Sequence, residues 1–393
     1  MAQVSSFILH VLISQAFGGL ELYVCQLIEQ LLAGGESIIA FVYAGSEVDT
    51  YLSALPHIIL VRTQEMGRLN RQNIKQLRRI LRSYPIQAIH THQSKDLWIT
   101  SVANTPKRYG QIHSIYMNVP LAKKDILSRY IYSKIDAVCS TADYTNRNIA
   151  KYLPVKPNKI HLMPYGREVE KYTLDDTKRE EIRGAIGRKT NDKIVVGTLS
   201  RIDVLKGIRE FVASYPLLKQ DVKTQVEYWV IGEPSIAETL PDGTVVYEES
   251  GRELHEWIEH FTKENGLETK IIRRGFQKEY LPVLGSMDIF VLPSYGEMYS
   301  LSVLDAMLMN VPVIGTDRSG TTEQLTDGRG LLIEPHSPQA IAEAVETYAE
   351  HPELRRSSAA NASQWVRLKH QWTTTIEQHK RLYYHAYTAT SGK

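Results

Sequence analysis

Ile289-Phe290-Val291-Leu292-Pro293-Ser294-Tyr295-Gly296-Glu297-Met298-Tyr299-Ser300-Leu301-Ser302-Val303-Leu304-Asp305-Ala306-Met307 passes from a short apolar run, through a turn, into a helical pattern. A run this short and this apolar reads as a strand covered on both faces, which is how parallel sheets are built. Glu297 then falls in the loop at the strand's carboxyl end, and Asp305 about two helical turns further on. Free N–H groups at the helix start suit a phosphate, and carboxylates suit hydroxyl donors. The same two acids would also serve as a helix-capping glutamate and an ordinary surface aspartate.

The pattern of this stretch recurs in both directions. Phe7–Ile13, Ser37–Tyr43, Ile58–Val61, Ala88–His92, Gln111–Tyr116 and Ala137–Ser140 read as strands. Helical patterns such as Leu20–Leu32 and Ile126–Ser133 lie between them. The second half repeats the alternation with Lys193–Leu199, Glu227–Gly232, Thr269–Arg273, Ile289–Pro293, Val313–Gly315 and Gly330–Ile333. Strand and helix in turn predict parallel sheets with crossover helices. At 393 residues one core is not enough, so two doubly wound domains are expected. Pro164-Tyr165-Gly166, before an acidic stretch, marks the boundary region. Pro241-Asp242-Gly243 ahead of Thr244–Tyr247 reads as an inserted hairpin. Two such domains facing each other would leave a cleft at the carboxyl ends of their strands, where these sheets bind ligands.

Three more constellations sit at strand ends. Ser200-Arg201-Ile202-Asp203-Val204-Leu205-Lys206-Gly207 follows a strand and offers two cations, suited to a diphosphate and to its growing charge on departure. Phe17-Gly18-Gly19-Leu20-Glu21 follows the first strand, and paired glycines let a ligand approach the backbone. Ile89-His90-Thr91-His92 places two histidines on one face; with no third ligand at metal spacing, no metal site is expected.

In this order and spacing, the four signals resemble glycosyltransferase family 4, whose GT-B fold pairs two Rossmann-like domains. Glu297 and Asp305 match its two acids separated by seven residues, and Ser200 to Gly207 match its arginine–lysine loop. Val311-Pro312-Val313-Ile314-Gly315-Thr316-Asp317-Arg318-Ser319-Gly320-Thr321-Thr322-Glu323 and Gly328-Arg329-Gly330-Leu331-Leu332 resemble its later strand and turns. The resemblance implies an α/β chain of three parts. Residues 1–170 would form an acceptor-side domain, 171–364 a nucleotide-sugar domain, and 365–393 a helix crossing back to the first.

It also implies the roles. Glu297 would bind the transferred sugar and Asp305 the ribose. Arg201 and Lys206 would hold the diphosphate, with backbone N–H groups near Tyr299, Ser300 and Leu301. Gly18 and Gly19 would line the cleft, His92 would orient the reacting sugar, and the base would lie near Phe276 and Gln277. The implied activity is retaining, metal-independent transfer from a nucleotide diphosphate sugar, a UDP-sugar by preference. A glycan or glycolipid acceptor is expected, as in lipopolysaccharide or surface polysaccharide synthesis. The alternative is a non-catalytic sugar-nucleotide-binding subunit of a glycan synthesis complex. The chain departs from the family at Ser200, at Asp305, which is shorter than the usual glutamate, and at Tyr165-Gly166-Arg167-Glu168.

Charge and composition narrow the partners. Residues 1–170 hold 19 Lys and Arg against 12 Asp and Glu, a net of +7; the remainder holds 27 against 32, a net of −5. Much of the excess lies in 68–82, where Leu69, Ile74, Leu77, Ile80 and Leu81 recur at helical spacing beneath a basic face. Such a face is solvated, or it meets an anionic acceptor or membrane. Two cysteines, no basic leader and no long apolar run predict a cytoplasmic chain, at most peripheral on a membrane. A dehydrogenase would need G-x-G-x-x-G, an NTPase a P-loop lysine and an α/β-hydrolase G-x-S-x-G, and none is present. No Asp-x-Asp holds a metal, so no cofactor is expected and nucleic acid is not a partner.

Overall fold

The computed structural model describes residues 6–186, 193–240 and 244–391. It divides into one unit of residues 1–167 and 370–393 and a second of residues 168–369.

The first unit starts with β1 (Phe7–Leu12), α1 (Gly19–Ala33), β2 (Ser37–Tyr43), α2 (Glu47–Ser53) and β3 (Ile59–Thr63). It continues with α3 (Arg71–Ser83), β4 (Ile86–Thr91), α4 (Ser94–Ala103), β5 (Gly110–Ile115) and α5 (Ile126–Ser133). β6 (Ala137–Ser140), α6 (Asp143–Tyr152) and β7 (Ile160–Leu162) complete the sheet. Seven parallel strands run in the order β3-β2-β1-β4-β5-β6-β7. β1 and β4 are almost wholly buried, with the polar His10, His90 and Thr91 inside beside the apolar residues. The short β7 has no strong apolar run and was not legible beforehand. α3 begins after Asn70, whose side chain accepts from the Asn73 N–H at 2.9 Å. Ile74, Leu77, Ile80 and Leu81 of that helix face the core, whereas Leu69, expected among them, precedes the helix and is exposed.

The second unit carries α7 (Asp176–Ile186), β8 (Ile194–Leu199), α8 (Ile208–Ser214), α9 (Gln220–Gln225) and β9 (Val226–Ile231). β10 (Ile236–Thr239) and β11 (Val245–Tyr247) pair antiparallel, and the expected Pro241–Gly243 turn lies outside the described residues. Next come α10 (Glu249–Glu264), β12 (Ile271–Arg274), α11 (Tyr280–Gly285), β13 (Ile289–Leu292) and α12 (Leu301–Leu308). β14 (Val313–Thr316), α13 (Ser319–Leu325), β15 (Leu331–Ile333), α14 (Pro338–Glu350) and α15 (Pro352–Lys369) follow. Six parallel strands are ordered β12-β9-β8-β13-β14-β15. The core clusters Phe211, Tyr228, Ile258, Val291, Ile314 and Tyr348.

α16 (Trp372–Ser391) belongs to the first unit, where it packs on β4 and β5 and against α1. A backbone bridge pins its start, with Arg167 N–H donating to the His370 carbonyl at 2.6 Å. Among the described residues no helix is long and apolar enough to cross a membrane. Both cysteines are free and buried.

Candidate functional site

In an open parallel sheet the strand order reverses at one point, and the loops there splay apart to leave a crevice at the strands' carboxyl ends. In the second unit that point lies between β8 and β13. The loops after these strands hold Arg201 to Gly207 and Ser294 to Ser300, so the two constellations read from the sequence become neighbours. Backbone hydrogen bonds fasten them: Tyr295 N–H donates to the Leu205 carbonyl at 3.0 Å, and Gly320 N–H to the Glu297 carbonyl at 3.0 Å. Thr316 Oγ1 donates to the Ser294 carbonyl at 2.6 Å.

Two glycines make this approach possible. Gly207 has φ +65°, and a Cβ there would stand 2.0 Å from the Pro293 carbonyl oxygen. A Cβ on Gly320 would stand 1.6 Å from the Met298 carbonyl oxygen. No larger residue fits either position without moving backbone.

The Lys206 ammonium forms an ion pair with Glu297, and Ser294 Oγ also donates to Glu297 at 3.3 Å. Both partners keep part of their surface, so the pair lines the crevice and is not sealed beneath it. Arg201 is exposed on the same loop, with Nη1 3.4 Å from Ser235 Oγ. Phe276 is exposed, and Gln277 folds back onto the Gly275 carbonyl at 3.1 Å. At the helix start of Tyr299, Ser300 and Leu301, one of the expected donors is already engaged. Ser300 N–H donates to Gln324 Oε1 at 3.0 Å, and Gln324 Nε2 donates back to the Ser300 carbonyl at 2.8 Å. That donor is therefore occupied in this structure.

Asp305 lies deeper than expected. It was expected beside Glu297 as a hydroxyl acceptor, but it is 0% exposed. Tyr172 Oη donates to Oδ1 at 2.7 Å and Tyr280 Oη to Oδ2 at 2.8 Å. Its carboxylate lies inside the protein, where two phenols donate to it. The convergence expected of four charged groups reduces to Lys206 and Glu297, with Arg201 on the same loop. Gln324, Ser294, Tyr172 and Tyr280 were not anticipated; lone polar residues without a spacing pattern give no sequence signal.

The first unit's reversal lies between β1 and β4. Gly18 and Gly19 are exposed after β1. Glu21 closes that turn, accepting from the Gly18 N–H at 3.1 Å, Ser14 Oγ at 2.9 Å and Gln93 Nε2 at 3.2 Å. His92 is 2% exposed, its Nε2 3.0 Å from His10 Nδ1 and its Nδ1 3.2 Å from Tyr116 Oη. Burial first, then the neighbouring His10, His113 and His379, holds its pKa well below the usual histidine value. His92 is thus a neutral ring within a polar network, with no open nitrogen toward a ligand.

His10 stands directly across from His90 in the β1–β4 register and supplies the third imidazole that linear spacing could not reveal. One ligand nitrogen from each of His10, His90 and His92 lies within 4.8 Å of the other two. Their nitrogens are largely engaged in hydrogen bonds: His90 Nδ1 with Tyr383 Oη at 2.9 Å and His90 Nε2 with Ser114 Oγ at 2.8 Å.

The family model described as Glycosyl transferases group 1 matches residues 178–365, and Glycosyltransferase Family 4 matches 17–171. The D-inositol 3-phosphate glycosyltransferase of Corynebacterium glutamicum is 24% identical over 298 residues, 74% of this chain and 68% of that protein. The capsular polysaccharide biosynthesis glycosyltransferase CapM of Staphylococcus aureus is 23% identical over 274 residues, 67% of each chain. The crystal structure of Anabaena HepE in complex with UDP-glucose superposes with a TM-score of 0.78 at 17% identity, covering 96% of this chain and 98% of that one. At that identity the likeness establishes the fold, two Rossmann-like domains of the GT-B type.

Proposed function

The chain belongs to the group 1, family 4 glycosyltransferases, and from that premise we propose that it transfers a sugar from a nucleotide diphosphate donor held by the second unit. The observation that carries this reading is the Lys206–Glu297 pair at the β8–β13 reversal. In the free enzyme each charge satisfies the other. An entering donor would draw Lys206 onto its diphosphate and release the Glu297 carboxylate to accept from the sugar hydroxyls. Arg201 on the same loop adds a second cation. As the sugar–phosphate bond breaks, charge grows on the departing diphosphate, and fixed cations stabilise that state more than the ground state. With two cations at the phosphates the reaction needs no metal.

UDP is the proposed nucleotide, in keeping with the UDP-glucose complex of the similarly folded HepE. The base is assigned to Phe276 and Gln277. The ribose is assigned to Asp305, which would exchange the bond from half-buried Tyr280 for one from a ribose hydroxyl while Tyr172 stays in place. The glycine turn at Gly18 and Gly19 would face the acceptor side. His92 would hold its neighbours in orientation and attack nothing. Departure and attack on one face of the sugar would retain the anomeric configuration. The acceptor is assigned to glycans or glycolipids, in line with the capsular polysaccharide role of CapM, and the basic face of α3 would attract an anionic acceptor or membrane.

Incubating the purified chain with a panel of nucleotide sugars, with and without a chelator, tests this. Release of nucleoside diphosphate from one donor, unaffected by chelation and lost in Glu297→Gln, is expected. Turnover that needs added metal overturns the charge argument, and no turnover with any donor and acceptor overturns the assignment. The anomeric configuration of the product, read by NMR, tests retention.

A further inference from the structure

A helix on a globular protein buries one apolar stripe and turns polar groups to water. α5 breaks this rule. Ile131 and Tyr132 pack inward with Leu97, Ile135 and Ile149, yet Ile126 is 89% exposed on the other side, with Leu127 and Tyr130 exposed beside it. The loop leading into α5 adds Met117 at 70% and Leu121 at 75% exposure. Five large apolar side chains in one short segment exceed the scattered exposure usual for a soluble surface.

The charge around them has one sign. Residues 117–134 contain Lys123, Lys124, Arg129 and Lys134 against the single Asp125. Asp125 is engaged at the start of α5, accepting from the Ser128 N–H at 2.9 Å. α3 packs on α4, and α4 on α5, so the three helices form one layer. Arg71, Lys75, Arg78, Arg79 and Arg82 of α3 are exposed, and together with Val102 of α4 they line an open groove. Arg68 joins the two ends: burial and then its charge lower the pKa of Lys123.

This combination selects the occupant. A second copy docked on the same face would bring cations against cations, which opposes a symmetric dimer. A polyanion alone would leave the apolar side chains in water. An interfacial bilayer surface with anionic headgroups satisfies both features. We propose that the 117–125 loop and α5 form a membrane-docking element. Leu121, Ile126 and Leu127 enter the boundary between headgroups and acyl chains, while Lys123, Lys124, Arg129 and the α3 cations lie on lipid phosphates. The inference deepens, and rests on, the reading of an anionic membrane as partner. It also implies an acceptor that is itself embedded in the bilayer.

Co-sedimentation of the full chain with phosphatidylcholine vesicles, with and without phosphatidylglycerol, tests it. Wild type should bind the anionic vesicles, with a residue of binding that survives high salt. Substituting Leu121→Ser, Ile126→Ser and Leu127→Ser together should weaken binding at least about tenfold and abolish the salt-resistant part. Turnover of a water-soluble donor and acceptor should stay unchanged, because none of the three is among the residues assigned to donor or acceptor. Glutamine at the five α3 positions should remove the salt-sensitive part. If the apolar variant binds like wild type while the α3 variant fails, the docking element is refuted and the anionic partner stands. If wild type ignores both vesicle types, both ideas fall. A shift from dimer to monomer in the apolar variant would assign the face to a second copy and overturn the proposal.

Discussion

Replacing Glu297 with glutamine separates a donor-binding pair from a structural one. The substitution keeps shape and hydrogen-bonding capacity but removes the negative charge facing Lys206. Both side chains are mostly buried, at 24% and 19% exposure. Because the amide still accepts from Lys206, the substitution costs on the order of 1 kcal/mol of stability. In a unit of this size that corresponds to a melting shift of roughly 2–4 °C. The kinetic consequence is larger if Glu297 grips the departing sugar. Losing a contact made chiefly in the transition state costs about 3–4 kcal/mol, or 10²–10³-fold in kcat. Turnover with saturating donor should therefore fall by two to three orders of magnitude while the melting temperature barely moves. Lys206→Gln should lower kcat and raise the donor KM together, because the diphosphate carries charge before the reaction as well as during it.

The double variant Lys206→Gln with Glu297→Gln decides between the two readings. If the ion pair mattered only for folding, neutralising both ends would restore whatever either single change removed. If each group has its own substrate contact, the double variant should be no better than the worse single one. Coupled enzymatic detection of released nucleoside diphosphate, beside thermal melting of the same samples, provides both readouts. Recovery of activity in the double variant would refute the site reasoning, as would a Glu297→Gln enzyme at wild-type rate.

The buried histidines of the first unit should make it acid-labile. Burial, then His379, lowers the pKa of His10 to about 3; burial also lowers His113 and His379 to about 4. Unfolded histidines titrate near 6.5, so between these limits the unfolded chain binds more protons than the folded one. Stability is full above about pH 6.5 and falls with acid by about 1.4 kcal/mol per pH unit for each such histidine; thermal melts from pH 7.5 to 5 should show a steep decline, and a flat profile would contradict it. Asp305→Ala should strip the acceptor from two phenols and destabilise the second unit by about 2–3 kcal/mol, visible as a lower melting temperature. Tyr280→Phe should lower the donor KM by removing a competitor for Asp305, and a raised KM would remove the ribose from that carboxylate. Gly320→Ala should abolish turnover, since its Cβ would lie 1.6 Å from the Met298 carbonyl oxygen; a fully active variant would show the loop is not held as described.

The parts of this molecule that could be read from its sequence are those with a local physical signature. Apolar-rich runs marked β1, β8 and β13 as sheet interior, and the structure shows Gly207 at a turn where a Cβ would clash with the Pro293 carbonyl. The Lys206–Glu297 partnership spans 91 positions, yet it was foreseeable, because strand order places both loops beside one reversal of the sheet. What escaped prediction depends on side-chain reach across the fold. Asp305 accepts from Tyr172 and Tyr280, which lie 133 and 25 positions away in the sequence, a partnership that no local spacing announces. His10 could not be joined to His90 and His92 until the β1–β4 register was known, for it lies 80 residues before its cross-strand neighbour. The same reasoning explains α5. Its boundaries follow from local propensity, but an apolar pattern cannot say which side of a helix the protein itself leaves uncovered. Only the packed structure shows Ile131 inside and Ile126 in water, and that unused face is where a partner must account for the sequence.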